Sequence, residues 1–167
     1  MTHQHFDATT NITLRDVHPA DLPALFAFQS DHESCAMAMV KPRTLEAFDA
    51  RWTQTFNEIA AGTPGILCKA ILANDQLCGS IGSFPIEGEL SVGYAIARDF
   101  WHRGIASSAL ALLLAEMSVR PLHARAAASN TASIRVLTKN GFTITGTHSS
   151  TETDRYLACE EVRLTLA

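Results

Sequence analysis

The sequence predicts a single α/β domain in which a mixed, mostly antiparallel sheet carries helices on both faces. The chain has 167 residues, of which 47% are hydrophobic, and this is enough for one compact core. Apolar stretches of strand length alternate with stretches of helix length, an order typical of a sheet covered by helices. No linker, repeat or low-complexity segment divides the chain. One domain is therefore expected over residues 1–167, with residues 1–10 as a loose tail.

The first third of the chain predicts one strand and two helices. Residues 11–17 carry spaced apolar side chains and form the first predicted strand. Pro19 can begin a helix, and apolar residues follow at Leu22, Leu25, Phe26 and Phe28. Thr44 is a candidate N-cap for a second helix, which is expected to end near residue 61, before the turn residues 62–65.

The middle of the chain predicts a hairpin, a further strand and a long helix. Residues 66–73 and 77–84 are apolar stretches separated by Asn74 and Asp75, which favour a tight turn. Residues 89–97 form the next predicted strand. After a short loop, residues 105–117 are apolar over the length of a helix.

The last third predicts a short helix between strands. Residues 122–128 form a strand, and Asn130 is a good N-cap for a helix that ends at Gly141. Strands near residues 142–148 and 160–166 complete the chain. The predicted order is β-α-α-β-β-β-α-β-α-β-β.

Residues 101–108 form the most informative segment of the sequence. A loop rich in small residues that begins a helix presents backbone N–H groups at the positive end of that helix, where anions and above all phosphates bind. Gly104 and Ala106 let a bulky ligand approach the backbone, and Arg103 adds further donors. The same residues also suit an ordinary helix start. The chain has neither a dinucleotide-binding glycine motif nor a P-loop.

A second block of residues lies about thirty positions after this loop. The first block runs Trp101-His102-Arg103-Gly104-Ile105-Ala106, and the second runs Asn130-x-x-Ser133-x-Arg135-Val136-x-x-Lys139-x-Gly141-Phe142. In sequence, spacing and setting the two blocks resemble the GNAT superfamily of acyl-CoA-dependent N-acetyltransferases. The resemblance is strong over residues 89–148 and is greatest to the RimJ/RimL-type branch, whose best-known members acetylate protein N-termini.

The resemblance implies a GNAT fold, a sheet that splays in its middle, and acetyl-CoA as the acyl donor without a metal. The pantetheine arm is expected along Tyr94, Ala95 and Ile96, with Asn130 bonded to it. The pyrophosphate is expected at the loop and the first helical turn, namely His102, Arg103, Gly104, Ile105, Ala106 and Ser107. Arg135 is expected near the nucleotide phosphates, and the alternative for Arg135 and Lys139 is a solvated basic face.

The catalytic residues of relatives are only partly present. Many relatives have a glutamate in the strand at the position of Ser91 and a tyrosine in the helix at the position of Leu137, and both are absent here. By the same resemblance Ser133 is the candidate acid and Glu152 a candidate base, while Glu89 is a second candidate base on the strand face of Ser91. The alternatives are a capping hydroxyl for Ser133 and a plain surface loop for Glu152.

The absence of a strong base at Ser91 favours an acceptor amine of low pKa. An α-amino group has a pKa of about 7.7–8.0, against about 10.4 for lysine, so the expected acceptor is a protein or peptide N-terminus. The alternatives are a small-molecule amine acceptor (an antibiotic, a polyamine or an amino acid) and a non-catalytic acyl-CoA-binding module. The acceptor pocket is expected among the first two helices and the late strands, with Phe26, Phe28, Asp31, His32, Glu33 and Trp52 as candidates.

Composition excludes several other classes of protein. A net charge of −4 does not suit a nucleic-acid partner bound by bulk charge, and no apolar stretch approaches the roughly 20 residues of a membrane span. The first residues lack the pattern of a secretory signal. The four cysteines are scattered and are expected as free thiols in the cytoplasm. A monomer or homodimer is expected.

Overall fold

A computed structural model describes residues 10–167, so the predicted tail at residues 1–10 lies outside the described residues except for Thr10. The strands are β1 (Ile12–Asp16), β2 (Leu67–Ala73), β3 (Gln76–Ile86), β4 (Glu89–Ile96), β5 (Leu122–Ala127), β6 (Thr143–Ser150) and β7 (Cys159–Leu166). The helices are α1 (Leu22–Ser30), α2 (His32–Ala38), α3 (Leu45–Ala60), α4 (Ile105–Glu116) and α5 (Thr131–Lys139). Short 3-10 turns precede α1 and follow β4.

The strands form one sheet in the order β1-β2-β3-β4-β5-β7-β6. Neighbouring strands are antiparallel throughout, except for β4 and β5, which are parallel. The predicted mixed, mostly antiparallel sheet is confirmed.

The sheet opens between β4 and β5. These two strands share a single register pair, Ser91 with His123, near the start of both strands. Beyond that pair β4 remains bonded to β3 and β5 to β7. The two halves of the sheet therefore diverge toward the carboxyl ends of β4 and β5, as the resemblance implies.

Helices cover both faces of the sheet, as expected. The larger core lies under α4 and α5 and includes Ile71, Leu110 and Leu164. The smaller core lies under α1 and α3, where Phe48 and Trp52 pack against Ala70. Ala70 and Ile71 are adjacent in β2 yet belong to different cores, because successive side chains of a strand point to opposite faces.

Local signals place most elements correctly. The side chains of Thr44 and Asn130 cap α3 and α5, and Asn74 and Asp75 both have the positive φ of a tight hairpin turn. The helix α2 was not expected. Asp31 caps it by accepting from the Ser34 amide, and it ends after seven residues at Met39, which has a left-handed conformation.

Candidate active site

The edge of β4 that faces the gap presents unpaired backbone groups. The Ala97 N–H donates to the Cys78 carbonyl on β3, and backbone groups of successive strand residues point to opposite edges. Ile96 and Tyr94 therefore direct their N–H groups into the gap. Ala95 lies between them with its backbone turned toward β3, so it borders the gap through its methyl group. This open edge can accept an extended chain as an added strand.

The loop at the end of the gap has left-handed backbone at two positions. His102 has a φ of 62° and Gly104 a φ of 70°, and Gly104 is the N-cap of α4. No side chain caps this helix, so its first amide groups remain available to an external anion. The His102 ring is exposed beside Trp101, in an edge-to-face arrangement with the two ring centroids 6.5 Å apart.

Side chains on both sides hold this loop in place. The Trp101 Nε1–H donates to the Ile96 carbonyl at 2.9 Å, which ties the loop to the end of β4. The Arg103 guanidinium lies 5.1 Å from the centroid of the Phe100 ring. From α5, the Asn140 Nδ2 donates to the Ser107 hydroxyl at 3.2 Å in the first turn of α4. Sequence reasoning missed Asn140, because nothing local marks a contact between residues that are 33 positions apart.

A hydrogen bond crosses from β4 to α5. The Tyr94 hydroxyl lies 2.8 Å from the Ser133 hydroxyl and donates to the Ser133 carbonyl at 3.2 Å. Burial raises the pKa of Tyr94 to about 12, so this phenol stays protonated at neutral pH. Asn130 uses its side-chain oxygen to accept from the Ser133 amide at 3.2 Å, so Asn130 and not Ser133 is the capping residue. Ser133 is thereby fixed at the far side of the gap.

One continuous cleft of about 1360 Å³ runs through the gap and joins these groups. All the residues expected to bind acetyl-CoA line this cleft: Tyr94, Ala95, Ile96, His102, Arg103, Gly104, Ile105, Ala106, Ser107, Asn130 and Arg135. Ser133 and Lys139 line it as well, and Arg135 and Lys139 are exposed on α5. Their assignment to acetyl-CoA stays a prediction.

The other candidate proton-transfer groups lie elsewhere. Glu89 is 49% exposed at the start of β4, where the strands are still paired, and its carboxylate is 3.7 Å from His123 Nδ1. Ser91 is fully buried and donates its hydroxyl to the Glu89 carbonyl at 3.2 Å. Glu152 is 59% exposed and forms an ion pair with Lys41 at 3.0 Å. Neither Glu89 nor Glu152 is among the described residues that line the cleft.

Beyond the gap, the cleft continues on the face of the sheet covered by α1 and α3. We call this part the acceptor side. Its floor near β4 consists of small residues, Ser80, Gly82, Gly93 and Ala95. A Cβ on Gly93 would come within 2.9 Å of the Phe84 ring, so a side chain there would displace that ring. Phe28 and Trp52 line the walls as expected, whereas Asp31 and Glu33 instead bind Arg98.

Two distant segments close the outer end of the acceptor side. Residues 39–41, after α2, pair with residues 153–157, in the loop between β6 and β7, and we call this pair the clasp. The Leu157 amide donates to the Met39 carbonyl at 2.9 Å and the Lys41 amide to the Arg155 carbonyl at 2.7 Å. The Lys41 ammonium also donates to the Thr153 carbonyl at 2.8 Å. The ion pair of Glu152 with Lys41 belongs to this clasp.

The charged groups of the acceptor side fall into two sets. Glu161 on β7 is paired with Arg163 at 3.3 Å and with Arg125 at 3.9 Å, and Arg125 also binds Glu87 at 2.9 Å. The second set consists of Arg43, Arg51 and Arg155, which come from three separate segments. Sequence reasoning found neither set, because each is assembled from residues far apart in the chain.

Comparison with known proteins identifies the family. Residues 11–143 match the family model described as an acetyltransferase (GNAT) domain. The chain belongs to this family, and it is an N-acetyltransferase with acetyl-CoA as acyl donor.

Individual relatives are distant in sequence. The chain is 25% identical over 142 residues, 80% of each chain, to an uncharacterised N-acetyltransferase of Bacillus licheniformis. It is similar in structure to a ribosomal-protein-alanine N-acetyltransferase from Brucella melitensis, with a TM-score of 0.71 and 23% identity over 92% of this chain and 98% of that one. It is also similar in structure to a spermidine N-acetyltransferase from Vibrio cholerae solved with CoA and spermine, with a TM-score of 0.76 and 14% identity over 93% of this chain and 94% of that one. At these identities the structural matches establish the fold.

Three further features of the described residues concern metal binding, membrane spans and the cysteines. Over residues 10–167, no group of histidine, cysteine or acidic side chains is arranged to hold a metal ion. Within the same range no helix has both the length and the apolar character to cross a membrane. The four cysteines are free thiols, as predicted, and burial raises the pKa of Cys68 to about 12 and of Cys78 to about 11.

Proposed function

We propose that the protein acetylates the N-terminal α-amine of a peptide or protein chain, as the RimJ/RimL-type branch does. The observation that carries this proposal is the acceptor side of the cleft, which is broad and carries three arginines. A polyamine acceptor requires a dense acidic lining. Of the four acidic residues along the described cleft, Glu87 and Glu161 are already paired with arginines, which leaves only Glu58 and Asp154 beside the three arginines. Similarity of fold does not choose between these acceptors, because both kinds of enzyme share it.

The donor half of the site fits the parts of acetyl-CoA. The Tyr94 and Ile96 amides offer strand-like pairing to the pantetheine arm, with Ala95 alongside and the Asn130 amide group at the end of the gap. The uncapped start of α4 suits a pyrophosphate. The residues proposed to surround that group are His102, Arg103, Gly104, Ile105, Ala106 and Ser107, with Arg135 toward the nucleotide.

The reaction needs two proton transfers besides the exchange of bonds. The amine nitrogen forms a bond to the acetyl carbon and loses a proton to water, the bond between that carbon and sulfur breaks, and the sulfur takes up a proton. We assign the proton donor to Ser133, held by the protonated Tyr94. A backbone N–H of β4 that faces the gap stabilises the negative charge that develops on the acetyl oxygen.

The cost of removing a proton from the acceptor determines which kind of amine can react. Ser91 is buried and bonded to the Glu89 carbonyl, so no carboxylate replaces it in the middle of β4. Neutralising a lysine at pH 7 costs about 3.4 kcal/mol more than neutralising an α-amine, because their pKa values differ by roughly 2.5 units. An α-amine therefore reacts without a strong base, with water carrying its proton away. The free thiols support a reducing compartment, and we place the reaction in the cytoplasm.

A pair of matched peptides tests this proposal. Both have the same sequence with one lysine; the first has a free α-amine and an acetylated lysine, and the second a formylated α-amine and a free lysine. We expect acetylation of the first peptide at least about a hundredfold faster in kcat/KM, given the pKa difference. Equal rates, or reaction of the lysine alone, would overturn the assignment. Binding of acetyl-CoA without transfer to either peptide would instead support the non-catalytic binding module.

A further inference from the structure

Three arginines converge on the acceptor side from separate parts of the chain. Arg43 lies just before α3, Arg51 lies within α3, and Arg155 lies in the clasp, and all three line the cleft. Arg43 and Arg155 are half-buried and Arg51 is exposed. Such convergence brings like charges together, which is unfavourable unless an anion lies among them.

No ion pair with a carboxylate balances the charges of this cluster among the described residues, although the Arg155 guanidinium donates to the Lys41 carbonyl. Burial, and after it the nearby charge of Arg155, lowers the pKa of the Arg43 guanidinium, and Arg51 contributes in the same direction. Within residues 10–167 no carboxylate forms an ion pair with Arg43, Arg51 or Arg155. The arginines on the opposite wall, Arg125 and Arg163, both have carboxylate partners. Glu58 and Asp154 also line the cleft, but neither forms an ion pair with these arginines, so the cluster differs from the opposite wall in lacking carboxylate partners.

The cluster lies close to the reacting edge of β4. The Arg51 guanidinium lies 6.0 Å from the centroid of the Phe84 ring. The same ring packs against Gly93, so that a Cβ on Gly93 would lie 2.9 Å from it. One phenyl ring thus separates Arg51 from β4. Two or three extended residues span roughly 7–10 Å, enough to pass from the amine at β4 to these guanidinium groups.

We propose that Arg43, Arg51 and Arg155 bind a carboxylate of the acceptor, so that the preferred substrate is a peptide with Asp or Glu at its second or third residue. Guanidinium groups bind carboxylates through paired N–H donors, and a partly buried site strengthens such bonds. The same charges repel polyamines and lysine-rich N-termini. This inference rests on the proposed acetylation of N-terminal amines and specifies its substrate class.

Three peptides that differ at one position test the proposal. The peptides carry Asp, Asn or Lys at the second residue, and kcat/KM is measured for each with saturating acetyl-CoA. For the unaltered protein we expect a preference of about tenfold for Asp over Asn, expressed mainly in KM, and a lower value still for Lys. In Arg43→Gln and Arg51→Gln the ratio of kcat/KM for the Asp peptide to that for the Asn peptide falls toward one.

Matched variants separate charge from folding. Arg51→Lys keeps the positive charge on an exposed helix position and retains most of the preference for Asp. Arg120→Gln removes a charge from an exposed site outside the cleft and leaves the ratio unchanged.

Equal acetylation of the Asp and Asn peptides by the unaltered protein would overturn this inference and leave the proposed function standing. Faster acetylation of free aspartate or glutamate than of the Asp peptide would also overturn it. The carboxylate that the arginines bind would then belong to a free amino acid and not to a peptide. Failure of all three peptides would instead contradict the proposed function.

Discussion

The hydroxyl groups of Tyr94 and Ser133 lie 2.8 Å apart and connect the two halves of a sheet that has opened between them. Tyr94 belongs to β4 and Ser133 to the first turn of α5, 39 residues later in the chain. Because burial keeps the phenol protonated, Tyr94 donates to one of the two Ser133 oxygens, the carbonyl or the hydroxyl, and holds the serine beside the gap. The pair therefore connects the two halves of the sheet and also holds Ser133, the proposed proton donor, in position.

Removal of either hydroxyl should slow turnover more than it weakens donor binding. We expect Ser133→Ala to lower kcat about a hundredfold, the usual range for loss of a general acid, and Tyr94→Phe to lower it about tenfold. The dissociation constant of acetyl-CoA, measured by calorimetry, should change less than threefold in both. Thr138→Ala, on an exposed position of the same helix, is the control. Normal turnover in Ser133→Ala would show that water supplies the proton.

Glu152 provides a contrasting case. Its carboxylate is paired with Lys41 in the clasp, so Glu152→Gln should have a small effect, and Lys41→Met, which also removes the bond to the Thr153 carbonyl, a somewhat larger one. We expect each to lower the free energy of unfolding by at most about 1 kcal/mol, as is typical of an exposed ion pair, with kcat within twofold. Denaturant titrations and steady-state rates give both values. A large loss of kcat confined to Glu152→Gln would instead identify this residue as the base.

The pH dependence should follow the acceptor and not the enzyme. With an α-amine peptide, kcat/KM should rise about tenfold per pH unit below pH 7 and level off near pH 8, as the amine becomes neutral. Since the pKa of Tyr94 is raised to about 12, the phenol that holds the proton donor Ser133 stays protonated, and no decline should follow up to pH 10. Rates from pH 6 to pH 10 test this directly. A decline beginning below pH 9 would require a different acid.

The left-handed backbone at positions 102 and 104 predicts opposite effects of two substitutions. His102→Gly should raise the free energy of unfolding by about 0.5 kcal/mol, because glycine adopts a positive φ without strain but has more freedom when unfolded. Gly104→Ala should lower it by about 1 kcal/mol through backbone strain alone, since nothing lies within 4 Å of a Cβ there. Thermal unfolding measures both. A destabilised His102→Gly would show that the ring contributes through its contact with Trp101.

Features encoded in neighbouring residues were predictable from the sequence. Thr44 and Asn130 as helix caps and the turn at Asn74 and Asp75 follow from the chemistry of single side chains. The family and the fold were also predictable, because two short segments resemble the family in their order and spacing.

Features that depend on distant residues were not predictable. The helix α2 has only seven residues, too few for a periodic apolar face to be recognised. The clasp pairs residues more than 110 positions apart, and the arginine cluster combines three segments. The role of Tyr94 was missed because only the folded sheet brings it to Ser133.

Acetyl transfer to a mixed panel of amines, followed by mass spectrometry, tests the central claim most directly. The panel combines peptides with free N-termini, polyamines, aminoglycosides and free amino acids in one reaction with acetyl-CoA. We expect an acetyl group on peptide α-amines, and we expect it to form fastest on peptides with an acidic residue near the N-terminus. Acetylation confined to a polyamine or an aminoglycoside would contradict it.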